Sequence, residues 1–288
     1  MTHAGTQLDR LAVGDIELVH LPDGWMRIAA TAAMPGSTDA EWRAHEELLD
    51  ADRRLTMSVG AFLVRSGSRN LLVDLGLGPV RGELPGGVGL LAGGELLDSL
   101  AAAGLRPADV DAVVLTHLHP DHVGWTSHPS EEGRRELTFA GAEHLVARAE
   151  WDHWTATPYD GRGPHPEAVL EPLAGRLLPL GDGQQLAEGV TALATPGHTP
   201  GHVCVELRSR GQRALLLGDV LHTPAQLAHP GWRSMGDVDP ELATRTRTRV
   251  LASLADTEAV AVACHAGAAR FGRVRRDASG LAWSPVDV

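Results

Sequence analysis

The chain has 288 residues, of which 43% are hydrophobic and 22% charged, with a formal charge of −12; this is globular composition, with enough chain to bury a core without staples. The negative balance argues against a nucleic-acid surface, which needs a basic patch, and its ordinary consequence is solubility. All 25 basic residues are arginine, which, beside abundant Ala, Gly and Pro, reads as GC-rich coding rather than a functional choice.

The N-terminal stretch MTHAGTQLDRLAVGDIELVH has no basic segment followed by an apolar run, so no secretory signal is expected. No stretch approaches the roughly 20 apolar residues of a membrane span. Residues 34–58 are polar and partly helical, an expected arm or lid that would suit a homodimer contact. Strands are expected at Phe62–Val64 and Leu71–Leu75, then a helix over Glu95–Ala103 with Leu96, Leu97 and Leu100 at helical spacing. Strands Ala112–Thr116 and Leu145–Ala147 follow. Residues 151–175, with Trp151, Trp154, Tyr159 and several prolines, read as a loop with a short helix, the kind of segment that walls active sites. Strands Val190–Ala194, Val203–Leu207, Ala214–Leu217 and Ala259–Ala263 surround a helix over Pro240–Leu254, where Pro240 suits the first turn. No repeat or low-complexity linker divides this alternation, which implies one α+β domain over residues 1–288 with αββα layers. The two cysteines, Cys204 and Cys264, make no disulfide framework, so a reducing, cytoplasmic setting is expected.

The chemistry is concentrated in Thr116-His117-Leu118-His119-Pro120-Asp121-His122, directly after an apolar strand. Ligands of open α/β layers tend to bind at such strand ends. Imidazole and carboxylate together suit zinc, and also iron, manganese or cobalt. Downstream, His198 in Thr195-Pro-Gly-His-Thr-Pro-Gly-His202, Asp219 after Leu215-Leu216-Leu217-Gly218, and His265 after Val260–Cys264 each end an apolar run. Singly they would be a turn residue, a helix cap and a core histidine. Their shared placement at strand ends makes them candidate ligands.

In order and spacing, HLHPDH, PGHTPGH, LLLGDV and the late His265 resemble the metallo-β-lactamase superfamily, over about residues 58–280. The resemblance implies an αββα sandwich with two metal ions, zinc by preference, between loops at one edge. It implies that His117, His119 and His198 hold one ion, that Asp121, His122 and His265 hold the other, and that Asp219 bridges them. Asp74, in Leu71-Leu-Val-Asp-Leu-Gly76, would orient the ligand loop rather than bind metal. His202 is expected to be structural and Cys264 a small buried neighbour of His265. A hydroxide shared by the two ions would attack an ester-like bond, with Asp121 accepting or relaying the proton.

Within the family, Gly218-Asp219-Val-Leu-His222 together with the tail from Phe271 to Trp283 resembles the methyl parathion hydrolase branch, close to the acyl-homoserine lactonases. Those lactonases often carry a tyrosine three residues after the bridging aspartate. His222 stands there in this chain, either to support the substrate oxygen in its place or as part of the pocket wall. Trp125, Trp151, Trp154, Trp232 and Phe271 are candidate walls of an apolar substrate pocket. Such a pocket favours a hydrophobic lactone, carboxylic ester or aryl phosphotriester, and the absence of a basic cluster disfavours a glutathione thioester. The rival chemistry for the same fold is an iron oxidoreductase of the persulfide dioxygenase kind, distinguished by metal identity.

Overall fold

Side chains of successive strand residues point to opposite faces, and this alternation organises the molecule. Leu71 and Val73 enter one apolar cluster while Leu72 enters another, and Phe62 and Val64 separate from Leu63 in the same way. The computed structural model describes residues 8–278 and 280–288; residues 1–7, part of the stretch expected to carry no secretory signal, lie outside them.

Among the described residues two large sheets stack face to face. The first runs in the order Leu177–Leu180, Glu143–Ala147, Ala112–Val114, Arg69–Val73, Arg54–Ser66, Ile16–Ala29, Gly89–Ala92 and Arg81–Glu83, with Arg10–Val13 paired to Ile16–Ala29. The second runs Gln185–Ala187, Val190–Ala194, Val203–Ser209, Gln212–Leu216, Val260–Val262, Phe271–Asp277 and Gly280–Pro285. Leu18, Val64, Val114, Val205, Leu216 and Val262 fill the space between them. Leu96 and Leu100 of the helix Leu96–Ala102 cover the outer face of the first sheet. Val250, Leu251 and Leu254 of the helix Pro240–Leu254 cover that of the second. The architecture is the αββα sandwich of the metallo-β-lactamase type.

The eight expected strands lie on observed ones, Val190–Ala194 with the same ends and the others with shifted ends. The long strand Ile16–Ala29 contains Pro22-Asp23-Gly24, residue types that suit a turn. They form a bulge instead: Pro22 pairs with Gly60 and Gly24 with Val59, which leaves Asp23 unpaired in the ladder. The Asp23 carboxylate is fully buried and accepts from the amides of Leu77, Gly78, Gly94 and Leu96 and from Trp125 Nε1. Residues 34–58 do not form a detached arm. They contain the short helix Asp39–Trp42, capped reciprocally by Thr38 and Glu41, and the 3-10 segment Arg43–Leu48; the last five residues belong to the strand Arg54–Ser66. Fully buried Trp42 anchors the segment in a cluster with Met26, Met57 and Trp232. Trp151 and Trp154, expected in a loop with a short helix, lie in the helix Arg148–Ala156. No helix among the described residues is long and apolar enough to cross a membrane.

Candidate metal centre

Parallel pairing of Arg69–Val73 with Ala112–Val114, and of Gln212–Leu216 with Val260–Val262, brings their C-terminal ends to one edge of the sandwich. Asp74, His117–His122, Asp219 and His265 follow these ends directly, and His198 follows Val190–Ala194 at the same edge. All are buried except Pro120, which is exposed, and Asp121, which is half-buried. Ligand atoms of His117, His119, His198 and Asp219 all lie within 4.8 Å of one another, as do those of His122, Asp219, Cys264 and His265.

The ring nitrogens that face inward are oriented by what binds the opposite ring nitrogen. Thr116 Oγ1 donates to the Asp74 carboxylate at 2.8 Å and stands 3.1 Å from His117 Nδ1, which therefore donates to it and leaves Nε2 bare. Asp237 Oδ1 takes the Nδ1 proton of His198 at 2.8 Å, Asp74 Oδ2 that of His122 at 2.8 Å, and the Ser58 carbonyl that of His265 at 2.9 Å. Asp74 reaches these partners from a backbone with φ of 64°, a left-handed conformation that Asp tolerates better than most residues. His202 Nε2 accepts from the Asp219 amide at 2.9 Å while its Nδ1 pairs with Thr195 Oγ1 at 2.8 Å. It thus holds Asp219 rather than facing the centre.

Asp219 sits between the two sets. Its Oδ2 is 3.1 Å from His198 Nε2 and 3.7 Å from His117 Nε2; its Oδ1 is 3.3 Å from His122 Nε2 and 3.1 Å from His265 Nε2. His119 Nδ1 lies 3.0 Å from His117 Nε2 and 2.9 Å from His198 Nε2. One proton cannot satisfy three such nitrogens, and buried His122 Nε2 and His265 Nε2 have no hydrogen-bond partner at all. Converging lone pairs beside a buried carboxylate fit cations. The electrostatics agree. Burial, reinforced by neighbouring imidazoles, holds His117 and His119 well below the usual histidine range, so both are neutral donors. Burial also disfavours charge on His198, yet the Asp219 and Asp237 carboxylates raise it to about 9: the site draws positive charge. Asp219 resists its own burial and stays well below the usual carboxylate range because His122 and the other imidazoles surround it.

Cys264 and Asp121 flank the second donor group from opposite sides. Cys264, expected only as a neighbour of His265, has its Sγ 3.4 Å from Asp219 Oδ1, inside the second donor group. Burial pushes that thiol up to about 12. Asp121 approaches instead from the cavity side, its Oδ2 3.5 Å from His265 Nε2 and 3.6 Å from His122 Nε2. His222 Nε2 is 3.1 Å from Asp219 Oδ2, and its buried Nδ1 has no partner.

The centre forms the floor of a cavity of about 520 Å³. One wall is apolar, with Met26, Ile28, Met57, Leu77 and Leu91; the other carries His153, Trp154, Thr157 and Arg162. Of the five aromatic residues expected there, only Trp154 lines it. Trp125 is turned away by its hydrogen bond to Asp23, and Trp151 packs on the outer face of the first sheet. Phe271 is buried between the sheets. Trp232 stacks on His229 with ring centroids 4.3 Å apart and on Trp42 at 4.6 Å, behind the cavity wall. Gly236 keeps the floor open: a Cβ there would come within 3.0 Å of His198 and 3.1 Å of His119.

Three supporting residues have no signature in the sequence. Asp237 lies in an ordinary polar loop. Glu150, fully buried, accepts from the Leu118 amide, the Gly201 amide and Trp154 Nε1, and so ties the HLHPDH loop to the PGHTPGH loop. Asp23 does the same for the segments beneath the cavity. Glu150 and Asp23 bind mostly backbone amides from distant segments, and Asp237 binds the ring of His198 from 39 residues away, which no local spacing reveals.

The family model described as the metallo-beta-lactamase superfamily matches residues 57–265. Ribonuclease TTHA0252 of Thermus thermophilus is 32% identical over 172 residues, 59% of this chain and 36% of its own length. N-acyl homoserine lactonase AttM of Rhizobium radiobacter is 33% identical over 132 residues, 42% of this chain and 44% of its own. The chain thus spans less than half the length of either relative. Among solved structures, AidC, a dizinc quorum-quenching lactonase in complex with a product, is 25% identical, with a TM-score of 0.85 over 99% of both chains. The hydrolase AbOPH is 25% identical, with a TM-score of 0.80 over 100% of this chain and 99% of its own.

Proposed function

The chain belongs to the metallo-β-lactamase superfamily, and from that premise we propose that it is a dinuclear-metal hydrolase cleaving a hydrophobic lactone, carboxylic ester or aryl phosphotriester. The observation that carries this reading is Asp219, with one carboxylate oxygen toward each set of bare imidazole nitrogens on the floor of an apolar-walled cavity. His117, His119 and His198 would hold one ion, and Asp121, His122 and His265 the other, with Asp219 between them. Two divalent ions, zinc by the preference of these donors, would supply Lewis acidity and hydroxide at neutral pH.

The chain's own groups do the rest. The fixed ring orientations keep the donors in place without reorganisation. The apolar wall takes the greasy part of the substrate and excludes water from the reacting bond. Asp121, half-buried at the edge of the cavity, accepts the proton and passes it to the leaving group. His222, which lines the cavity beside Asp219, would donate to the substrate oxygen. The likeness to two hydrolases over nearly the whole chain supports the class, and the lactonase among them favours a lactone.

The test is elemental analysis of the purified protein, paired with hydrolysis of a γ-lactone, an aryl ester and an aryl phosphotriester. Two zinc-like ions per chain with turnover of any of the three is the expected result. One iron per chain with no hydrolysis would overturn the reading in favour of the iron oxidoreductase. His222→Phe should lower kcat on the order of 10–100-fold with metal content unchanged; parental turnover would make His222 part of the wall only.

A further inference from the structure

The chain has five methionines, and the four that lie among the described residues, Met26, Met34, Met57 and Met235, all line the cavity above Asp219. The other three apolar clusters among the described residues contain none. Branched aliphatic side chains build the sandwich, and methionine is kept for one wall.

The sheet explains how that wall is made. Met26 and Met57 are register partners on adjacent strands, and Leu91 opposes Met26 across the next ladder. The three side chains therefore form a row on one sheet face, with Ile28 two residues along on the same face. Met34 closes over the row from the segment after the strand Ile16–Ala29. Met235, 45% exposed, stands at the mouth. Methionine is unbranched, has three rotatable side-chain bonds and refills irregular space at little cost. A row of Val, Leu and Ile would instead present a fixed contour.

We propose that these methionines make the wall adjustable, so that the enzyme takes a flexible aliphatic chain on its substrate and is nearly indifferent to the length of that chain. The proposal rests on the hydrolase reading above. Against a rigid contour, each buried methylene would raise kcat/KM roughly four-fold until the end wall is reached, after which the value would fall abruptly. Against methionines that reorient, both the rise and the fall flatten.

The experiment measures kcat/KM of the zinc-loaded enzyme for γ-lactones with straight alkyl tails from butyl to decyl. It is repeated for the triple variants Met26→Leu/Met34→Leu/Met57→Leu and Met26→Ile/Met34→Ile/Met57→Ile. In parallel, straight-chain alkanoates of the same lengths displace anilinonaphthalene sulfonate from each protein. The parent should vary within roughly three-fold across the series, while the isoleucine triple shows a length optimum with losses of roughly ten-fold on the long side. The leucine triple, which keeps the volume with one rotatable bond fewer, falls between and carries the comparison should the isoleucine triple fail to fold. A sharp optimum in the parent, or the same flat profile in every variant that folds, overturns the proposal. If the parent hydrolyses none of the lactones, the hydrolase reading fails, and alkanoate displacement still decides the wall: affinities level in the parent and stepped in the variants support it, and any other pattern overturns it.

Discussion

The floor and the wall of the cavity are built on opposite principles. On the floor, each of His117, His122, His198 and His265 has one ring nitrogen fixed by a buried oxygen, and the Asp219 backbone is fixed by His202. These four rings and Asp219 each have a specified partner, so they are held in place before any ion arrives. The wall has no such partners. Met26, Met34 and Met57 are held by packing alone, in a cluster with Trp42 and Trp232. Directional bonds give the floor one geometry; dispersion contacts let the wall take several. The chemistry should therefore be brittle to substitution on the floor and tolerant on the wall.

The largest expected effect is at the point shared by both donor sets. Asp219→Ala should lower kcat/KM by on the order of 10³-fold or more, the scale seen when a group that works as a unit with others is removed, and should release metal. Full activity in that variant would break the contrast at once. Glu150→Ala follows, because it leaves the Leu118 amide, the Gly201 amide and Trp154 Nε1 buried without an acceptor. At about 1–3 kcal/mol for each orphaned donor, partly relieved by relaxation, the loss should be about 3–5 kcal/mol in urea unfolding. An unchanged unfolding midpoint would mean that the two ligand loops are not tied through this carboxylate. Asp237→Asn should weaken metal binding roughly 10–100-fold in chelator competition while apolar-probe binding in the cavity stays parental. Loss of both together would show that floor and wall are one unit. Trp232→Phe should have the smallest effect, with KM unchanged and a stability loss of about 0.5–1.5 kcal/mol from the altered stack with His229 and Trp42. A large rise in KM would put Trp232 in contact with substrate after all.

The legible part of the site is the part that is local in the chain. His117, His119, Asp121 and His122 fall within six residues of each other, and His198, Asp219 and His265 each terminate an apolar run. Their approach follows once those runs are strands of a stacked pair of sheets. The carboxylates that support them were legible only where a strand motif carried one, as for Asp74. Glu150, Asp237 and Asp23 serve partners dozens of residues away. The aromatic residues misled for a related reason: Trp125 and Phe271 sit beside ligand segments in sequence, but strand alternation and a buried hydrogen bond turn them into the core.

By itself, then, the sequence determined the layered class, the strand ends that carry chemistry and the residue types that can bind cations. These depend on short-range periodicity and on side-chain chemistry that no neighbour alters. Tertiary structure alone decided which ring nitrogen of each ligand histidine faces inward, that Pro22-Asp23-Gly24 forms a bulge, and that four methionines and one tryptophan line the cavity. Those outcomes depend on register between strands far apart in the chain, and a shift of one residue would send every one of these side chains to the opposite face.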